Sequence, residues 1–283
     1  MTDFTLVAAD TLAAADLHAA NLASFADYIA GPMHLPYDQW PSLIARQGIA
    51  LARSRVAVRD GAIEAYAFAC PRESEGRWRL AIMGALPAAR GSGAAPALID
   101  DFLARAKAAG MAHAELECFA ANERALRLYR SRGFEVAFPL NGWKLPADAA
   151  PAPARDAPAR EVREIDRATA FAWLEEAGRR IAWLPFQNTA RCQSAQARPL
   201  TFRQCGSALM LSSVLEGAPP QIHVLVDLDP ALHDAETLAR AIRAAHPDAF
   251  APPILRDDLG GTALQRAGFV LGELNQVLMR RAL

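Results

Sequence analysis

Lysine is nearly missing from this chain: of thirty basic residues only Lys107 and Lys144 are lysines, and the rest are arginines. Against 31 acidic residues the formal net charge is −1, so electrostatics recommends neither nucleic acid nor an anionic membrane as partner. Long apolar runs are missing too, none approaching the roughly 18 residues of a membrane helix. The first ten residues, MTDFTLVAAD, have none of the basic start or small-residue cleavage site of a secretory leader. Cys70, Cys118, Cys192 and Cys205 contain no Cys-x-x-Cys pair and have no nearby histidine at zinc-ligand spacing. No metal site is expected, and the cysteines read as buried thiols of a cytoplasmic protein.

What is present is apolar material for two cores: hydrophobic residues make up 52% of 283 residues, beyond the usual size of one domain. The segment LPADAAPAPARDAPARE is rich in proline and alanine and reads as a linker over 146–161, separating a domain at 1–145 from one at 162–283. In the first half, strand and helix patterns alternate. FTLVAAD reads as a strand, Thr11 to Ala30 and Tyr37 to Arg46 as helices, and Arg59-Asp60-Gly61 as a hairpin turn. Trp78 to Leu86 is a third strand, Gly93 to Ala109 an amphipathic helix, AELECFA a strand, and Asn122 a helix N-cap. FEVAFPLNGWKLP reads as a broken strand pair. The second half repeats this order, ending in FVLGELNQVLMRRAL as a strand pair, and the halves align on Gly133-Phe134 and Gly268-Phe269.

The informative stretch runs from Ile82 to Leu103, where a strand feeds a small-residue loop that opens a helix. With no side chains at Gly91 and Gly93, the N–H groups of Arg90, Gly91, Ser92, Gly93, Ala94 and Ala95 can gather on an anion, aided by the helix dipole. It is not a P-loop, because Ala94-Ala95-Pro96 follows Gly93 where Lys-Ser/Thr is required. Nor is it a dinucleotide fingerprint, whose third glycine position is Pro96. A small-residue turn that merely lets a helix pack would explain the loop by itself.

The loop has a partner. Arg90-x-x-Gly93-x-Ala95, after a strand ending at Pro87, is followed by Asn122-x-x-Ala125-x-x-Leu128-Tyr129-x-x-x-Gly133-Phe134. Together these motifs resemble the GNAT N-acetyltransferase superfamily, over about residues 4–145. The resemblance implies an α+β fold, a mixed and mostly antiparallel sheet flanked by helices, splayed between the strands Trp78–Leu86 and Ala114–Phe119. It implies acetyl-CoA as co-substrate, its arm paired with the backbone of Met83, Gly84 and Ala85, its pyrophosphate on Arg90–Ala95, and Asn122 on the arm. Tyr129 would donate a proton to the departing thiolate. Glu117 would be the base that deprotonates the amine, as in family members that acetylate protein N-termini, although a salt-bridged carboxylate explains it equally. Tyr28 and His34 are candidate acceptor contacts, with Met33 and Tyr37 nearby.

On the repeat, His233, Asp234 and Glu236 replace the phosphate loop, Leu264 replaces Tyr129 and Asp257 replaces Asn122. The second half is therefore expected to be a degenerate GNAT-like domain without a cofactor. The leading expectation is transfer of an acetyl group to a primary amine, an amino acid or a peptide end, by a monomer or homodimer. A CoA-binding sensor or assembly module without turnover, and a purely structural tandem, are the alternatives.

Overall fold

The computed structural model describes residues 4–146 and 160–283. All but the ends of the expected linker at 146–161 lies outside the described residues. The chain forms two compact units, one made of residues up to Ala137 with Val277–Leu283, the other of Phe138–Gln276.

The first unit runs β1 (Thr5–Ala8), α1 (Ala14–Ser24), α2 (Trp40–Arg46), β2 (Arg55–Arg59), β3 (Ala62–Arg72), β4 (Arg77–Ala85), α3 (Ala94–Ala108), β5 (His113–Phe119) and α4 (Glu123–Arg130), then enters β6 (Glu135–Lys144). β1 to β4 pair antiparallel in sequence order and β5 joins β4 in parallel. The β2–β3 turn is the expected hairpin: Asp60 and Gly61 both have positive φ, 49° and 78°, the geometry whose twist matches the strands it joins. α3 buries Leu98, Ile99, Phe102, Leu103 and Ala106 at helical spacing on one sheet face, where they pack with Trp78, Leu116 and Leu126. The opposite face is covered by Leu17 and Ala20 of α1 and Trp40 and Leu43 of α2, against Val56, Tyr66 and Phe68.

Three expectations need correction. The helix expected over Thr11 to Ala30 is confined to Ala14–Ser24, and the residues after it unwind to carry Asp27 and Tyr28. EVAFPLNGWK is one strand, β6, not a broken pair, and the chain passes from one unit to the other along it at 137/138. The final strand does not stay with the second half: from Val277 on it belongs to the first unit, next to β5, with Met279 fully buried in the α3 core.

The second unit contains β7 (Arg163–Glu164), α5 (Arg167–Arg180), α6 (Ala190–Ser194), β8 (Thr201–Cys205), β9 (Ala208–Ser213), β10 (Gln221–Asp227), α7 (His233–Ala245), β11 (Phe250–Leu255), a π-turn over Asp257–Gly261, α8 (Thr262–Arg266) and β12 (Val270–Leu271). The final strand, β13, spans Gln276–Ala282. The order β7-β8-β9-β10-β11-β6 is antiparallel except at β10–β11, so this unit too has a mixed sheet flanked by helices.

Because Met279 supplies core to a unit more than a hundred residues earlier in sequence, Met279→Ala is expected to cost about 2–5 kcal/mol, the range for large-to-small core changes. Thermal unfolding should show the loss in the first unit's transition.

Candidate active site

β4 and β5 hold parallel register from Arg77↔His113 to Leu80↔Leu116 and no further. At that point β4 carries one extra residue: against β3, Ala69 pairs with Leu80 and Phe68 with Ile82, leaving Ala81 as a bulge. Both strands continue, β4 to Ala85 and β5 to Phe119, so a gap opens between them. Met83, Gly84 and Ala85 remain paired with Ala67, Tyr66 and Ala65 on one side and have a free edge on the other. Gly84 is fixed by what lies under it. A Cβ there would stand 2.4 Å from Ser24 Oγ and 2.5 Å from Tyr66 Oη. Those two hydroxyls are hydrogen-bonded at 2.6 Å, and the Tyr66 hydroxyl donates to Asn21 Oδ1 at 2.9 Å, so they cannot yield cheaply.

After β4 the chain makes a 3-10 turn at Pro87–Ala89 and enters the loop. Gly91 and Gly93 have φ of 94° and 88°, and a Cβ at either would meet open space, so backbone conformation alone demands glycine. Within the loop, Arg90 N–H and Ser92 N–H close local turns on Pro87 O and Ala89 O, and Ala94 N–H donates to Ser92 Oγ. Gly91, Gly93 and Ala95 keep N–H groups with no partner among the described residues. The cradle is thus narrower than the six N–H groups expected from sequence. The Arg90 guanidinium grips Asp27 through bonds of 2.5 and 2.6 Å. This pair is exposed, holds the Asp27 carboxyl below its usual range mainly through the Arg90 hydrogen bond, and is readily screened or exchanged for another anion.

Across the gap, Asn122 Oδ1 caps α4 by accepting Ala125 N–H at 3.2 Å. Tyr129, half-buried on α4, places its hydroxyl 4.0 Å from Met83 Sδ and packs edge-on to Phe134. Burial first, then Cys118 and Tyr28, pushes its hydroxyl far above the ordinary phenol range, so it keeps its proton at any working pH. Tyr28 belongs to the same group of side chains. Its ring meets Phe119 and Phe25 edge-on, and burial followed by Cys118 raises its hydroxyl to about 12 while a hydrogen bond with Asn122 opposes the shift. His34, the other acceptor candidate, is exposed between α1 and α2, away from these side chains.

Glu117 is the first β5 residue beyond the last pairing with β4. Its Oε2 accepts Arg79 Nε–H at 2.8 Å, and the buried Oε1 has no partner among the described residues. Arg79 also donates to Gln47 O at 3.3 Å and Gln47 Oε1 at 3.0 Å. Two residues earlier, Glu115 is ion-paired with Arg72 and, at 3.0 Å, with Arg77. Arg79, Gln47, Tyr66, Ser24, Asn21 and Cys118 escaped the sequence reading. The alternation Arg77-Trp78-Arg79 on one strand, matched by Glu115-Leu116-Glu117 on another, was the available signal for the ion pairs. Among the described residues no cluster of three His, Cys, Asp or Glu side chains could hold a metal, and no helix is long and apolar enough to cross a membrane.

The second unit repeats the device and closes it. β10 is bulged at His223 against β9, and β10–β11 register is confined to Gln221↔Phe250. Aligned on the bulges, Leu225 takes the place of Met83. The π-turn occupies the opening: a Cβ on Gly260 would lie 2.2 Å from Leu225 O. The loop before α7 is shorter than the one before α3, and Leu232, at φ 60°, stands where Gly93 does as the residue preceding the helix. His233, Asp234 and Glu236 therefore begin the helix and do not replace the loop residue by residue, as the sequence alignment had it. The carboxylate of Asp227 accepts Ala235 N–H at 2.9 Å, and that of Asp234 accepts Ser207 N–H at 2.9 Å and pairs with Arg160.

The family model of the acetyltransferase (GNAT) family matches residues 17–134. No functionally curated protein matches the sequence. Solved structures similar along the whole chain include a GCN5-related N-acetyltransferase from Sphaerobacter thermophilus, with 16% identity, TM-score 0.65, and coverage of 100% of this chain and 96% of that one. A putative acetyltransferase from Pyrococcus horikoshii has 12% identity, TM-score 0.63, and coverage of 100% and 90%. A GCN5-related N-acetyltransferase from Anabaena variabilis has 15% identity, TM-score 0.65, and coverage of 99% and 72%. At these identities the likeness is one of fold.

Gly84→Ala is expected to weaken acetyl-CoA binding at least about tenfold, because the added methyl must displace β4 or the Ser24–Tyr66 pair, and either moves the free edge. Calorimetry on folded protein would show it; unchanged affinity would remove that edge from the site.

Proposed function

Residues 17–134 are a GNAT-family acetyltransferase domain, and on that premise we propose that the first unit transfers the acetyl group of acetyl-CoA to a primary amine. The observation that carries this reading is the free edge of β4 at Met83–Ala85, opened by the Ala81 bulge and bounded by the glycine loop at one end and the Tyr129 hydroxyl at the other. An extended amide chain suits the edge, as an added strand would. The N–H groups of Gly91, Gly93 and Ala95, at the positive end of α3, suit its pyrophosphate. Arg90 would exchange Asp27 for a phosphate, and Asn122 would contact the arm while capping α4.

Glu117 accepts a proton from the acceptor ammonium through Oε1. The freed nitrogen lone pair forms the C–N bond at the thioester carbonyl carbon, the C–S bond breaks, the sulfur takes the Tyr129 hydroxyl proton, and the second proton that the nitrogen sheds in becoming an amide restores the Tyr129 hydroxyl by way of solvent. Tyr28 borders the acceptor. An amine, an amino acid or a peptide end all suit an opening lined by Phe119, Tyr28 and a carboxylate, and four free, buried cysteines suit a cytoplasmic enzyme. The second unit is read as a degenerate copy that binds no cofactor, since its own π-turn and carboxylates stand where arm and phosphates would.

CoA release measured over a panel of amines tests the reading. Release is expected for at least one amine, with Tyr129→Phe lowering kcat about 10²-fold or more and no alkaline loss of kcat from Tyr129 below pH about 10, because its shift is upward. Binding without release for any amine would favour a CoA-binding module, and no binding at all a structural role. Calorimetry is also expected to count one acetyl-CoA per chain; two would overturn the reading of the second unit.

A further inference from the structure

Resting on the base role given to Glu117, we propose that Arg79 is a positioning residue for deprotonation of the acceptor, with Gln47 as its anchor at the end of α2. Two glutamates on one face of β5 meet their arginines differently. Glu115, before the last paired position Leu116, lies between two arginines, with Oε1 bonded by Arg72 and Oε2 ion-paired with Arg77 Nε at 3.0 Å without a hydrogen bond. Glu117, just past it, has Oε2 held by Arg79 and a buried Oε1 with no partner among the described residues. A buried carboxylate oxygen without a hydrogen bond is costly, and Glu117 has one arginine beside it where Glu115 has two. Glu115 lies where the strands are joined and Glu117 where they part, so of the two it is Glu117 whose Oε1 faces a donor arriving in the gap with the substrate.

Arg79 is suited to hold that oxygen at one angle. Its guanidinium is 2% exposed and fixed at both ends, by Nε–H on Glu117 Oε2 and by its terminal nitrogens on the carbonyl and side-chain oxygens of Gln47. The planar fork sets the plane of the carboxylate it grips, which a lysine ammonium cannot do. Gln47 directly follows α2 and caps its C-terminus, so the orientation of Glu117 is referred to a helix packed on the face opposite α3. Arg79 transfers no proton and acts through Glu117.

The test uses the full chain, acetyl-CoA and the amine that releases CoA fastest, with kcat/KM compared for Arg79→Lys, Gln47→Leu, Glu117→Gln and the two doubles with Glu117→Gln, each checked by thermal melting. Arg79→Lys and Gln47→Leu are each expected to lower kcat/KM by about tenfold or more with the KM for acetyl-CoA unchanged, and to have under about a twofold effect once Glu117 is glutamine. Equal losses in both backgrounds, or no loss in either single variant, would overturn the positioning role and leave the Tyr129 reading standing. Should Arg79→Lys not fold, Gln47→Leu, which leaves the Arg79–Glu117 pair in place, carries the same cycle. If Glu117→Gln alone leaves the rate unchanged, or if no amine releases CoA, the base reading falls and this inference with it.

Discussion

A single inserted residue, Ala81, is the constraint on which the site depends. Up to Leu80 the fourth and fifth strands share a parallel ladder; past the bulge the ladder with the third strand resumes while that with the fifth does not. Backbone N–H and C=O groups on a strand are obligatory bonding groups, so an interior strand with one bare edge is an unfinished structure. Every other element of the site is placed by that opening. The strand delivers the chain into the glycine loop at its end, the helix bearing Tyr129 crosses to reach Met83, and Glu117 is the first residue of the partner strand to lose its neighbour.

The second unit presents the same unfinished edge and completes it from within. His223 bulges out of β10, pairing with β11 stops, and the π-turn lays the backbone of Gly260 against Leu225 O, an approach that tolerates no side chain. Two neighbouring carboxylates, those of Asp227 and Asp234, take up the N–H groups of Ala235 and Ser207 near the start of α7. The two halves show alternative answers to one packing problem. In one, the edge is left without a strand partner among the described residues; in the other, it is covered by the chain itself.

Much of the first unit was legible because its signals are local. Asp60-Gly61 specifies a two-residue turn by its own conformational preference, the apolar spacing of Leu98 to Ala106 specifies a buried helix face, and Asn122 caps a helix wherever such a residue precedes one. The glycine loop and Tyr129 were legible as motifs, since each depends on a short run of sequence. What stayed hidden depends on long-range pairing. Pro252 and Pro253 argue against a strand, yet they lie in β11 where β10 has already separated and their missing N–H groups leave no bond unmade. QVLMRRA reads as a strand in either half, and no local feature says that it completes the first. The Arg79–Glu117 pair joins residues 38 apart in sequence, and the Tyr66–Asn21 hydrogen bond residues 45 apart.

The same surroundings bear on which nucleophile the proposed reaction would use. Cys118 stands beside Tyr129 and Tyr28 on the strand that borders the gap, and a thiol there invites a route in which the enzyme itself is acetylated first. Burial pushes that thiol up to about 12, with Arg130 pulling weakly the other way. A thiol raised in this way stays protonated at neutral pH, and no histidine is among the groups that influence it. Burial raises both the Cys118 thiol and the Tyr129 hydroxyl, so one apolar environment disfavours a thiolate at Cys118 and, under the proposed function, would keep on Tyr129 the proton that the leaving thiolate needs. Under the proposed function, direct attack by the amine suits this environment better than acetylation of Cys118, because the acceptor brings its own nucleophile once a base has taken the first ammonium proton. That reading gives the proton to Glu117, whose Oε2 is held by Arg79 and whose buried Oε1 has no hydrogen-bond partner among the described residues.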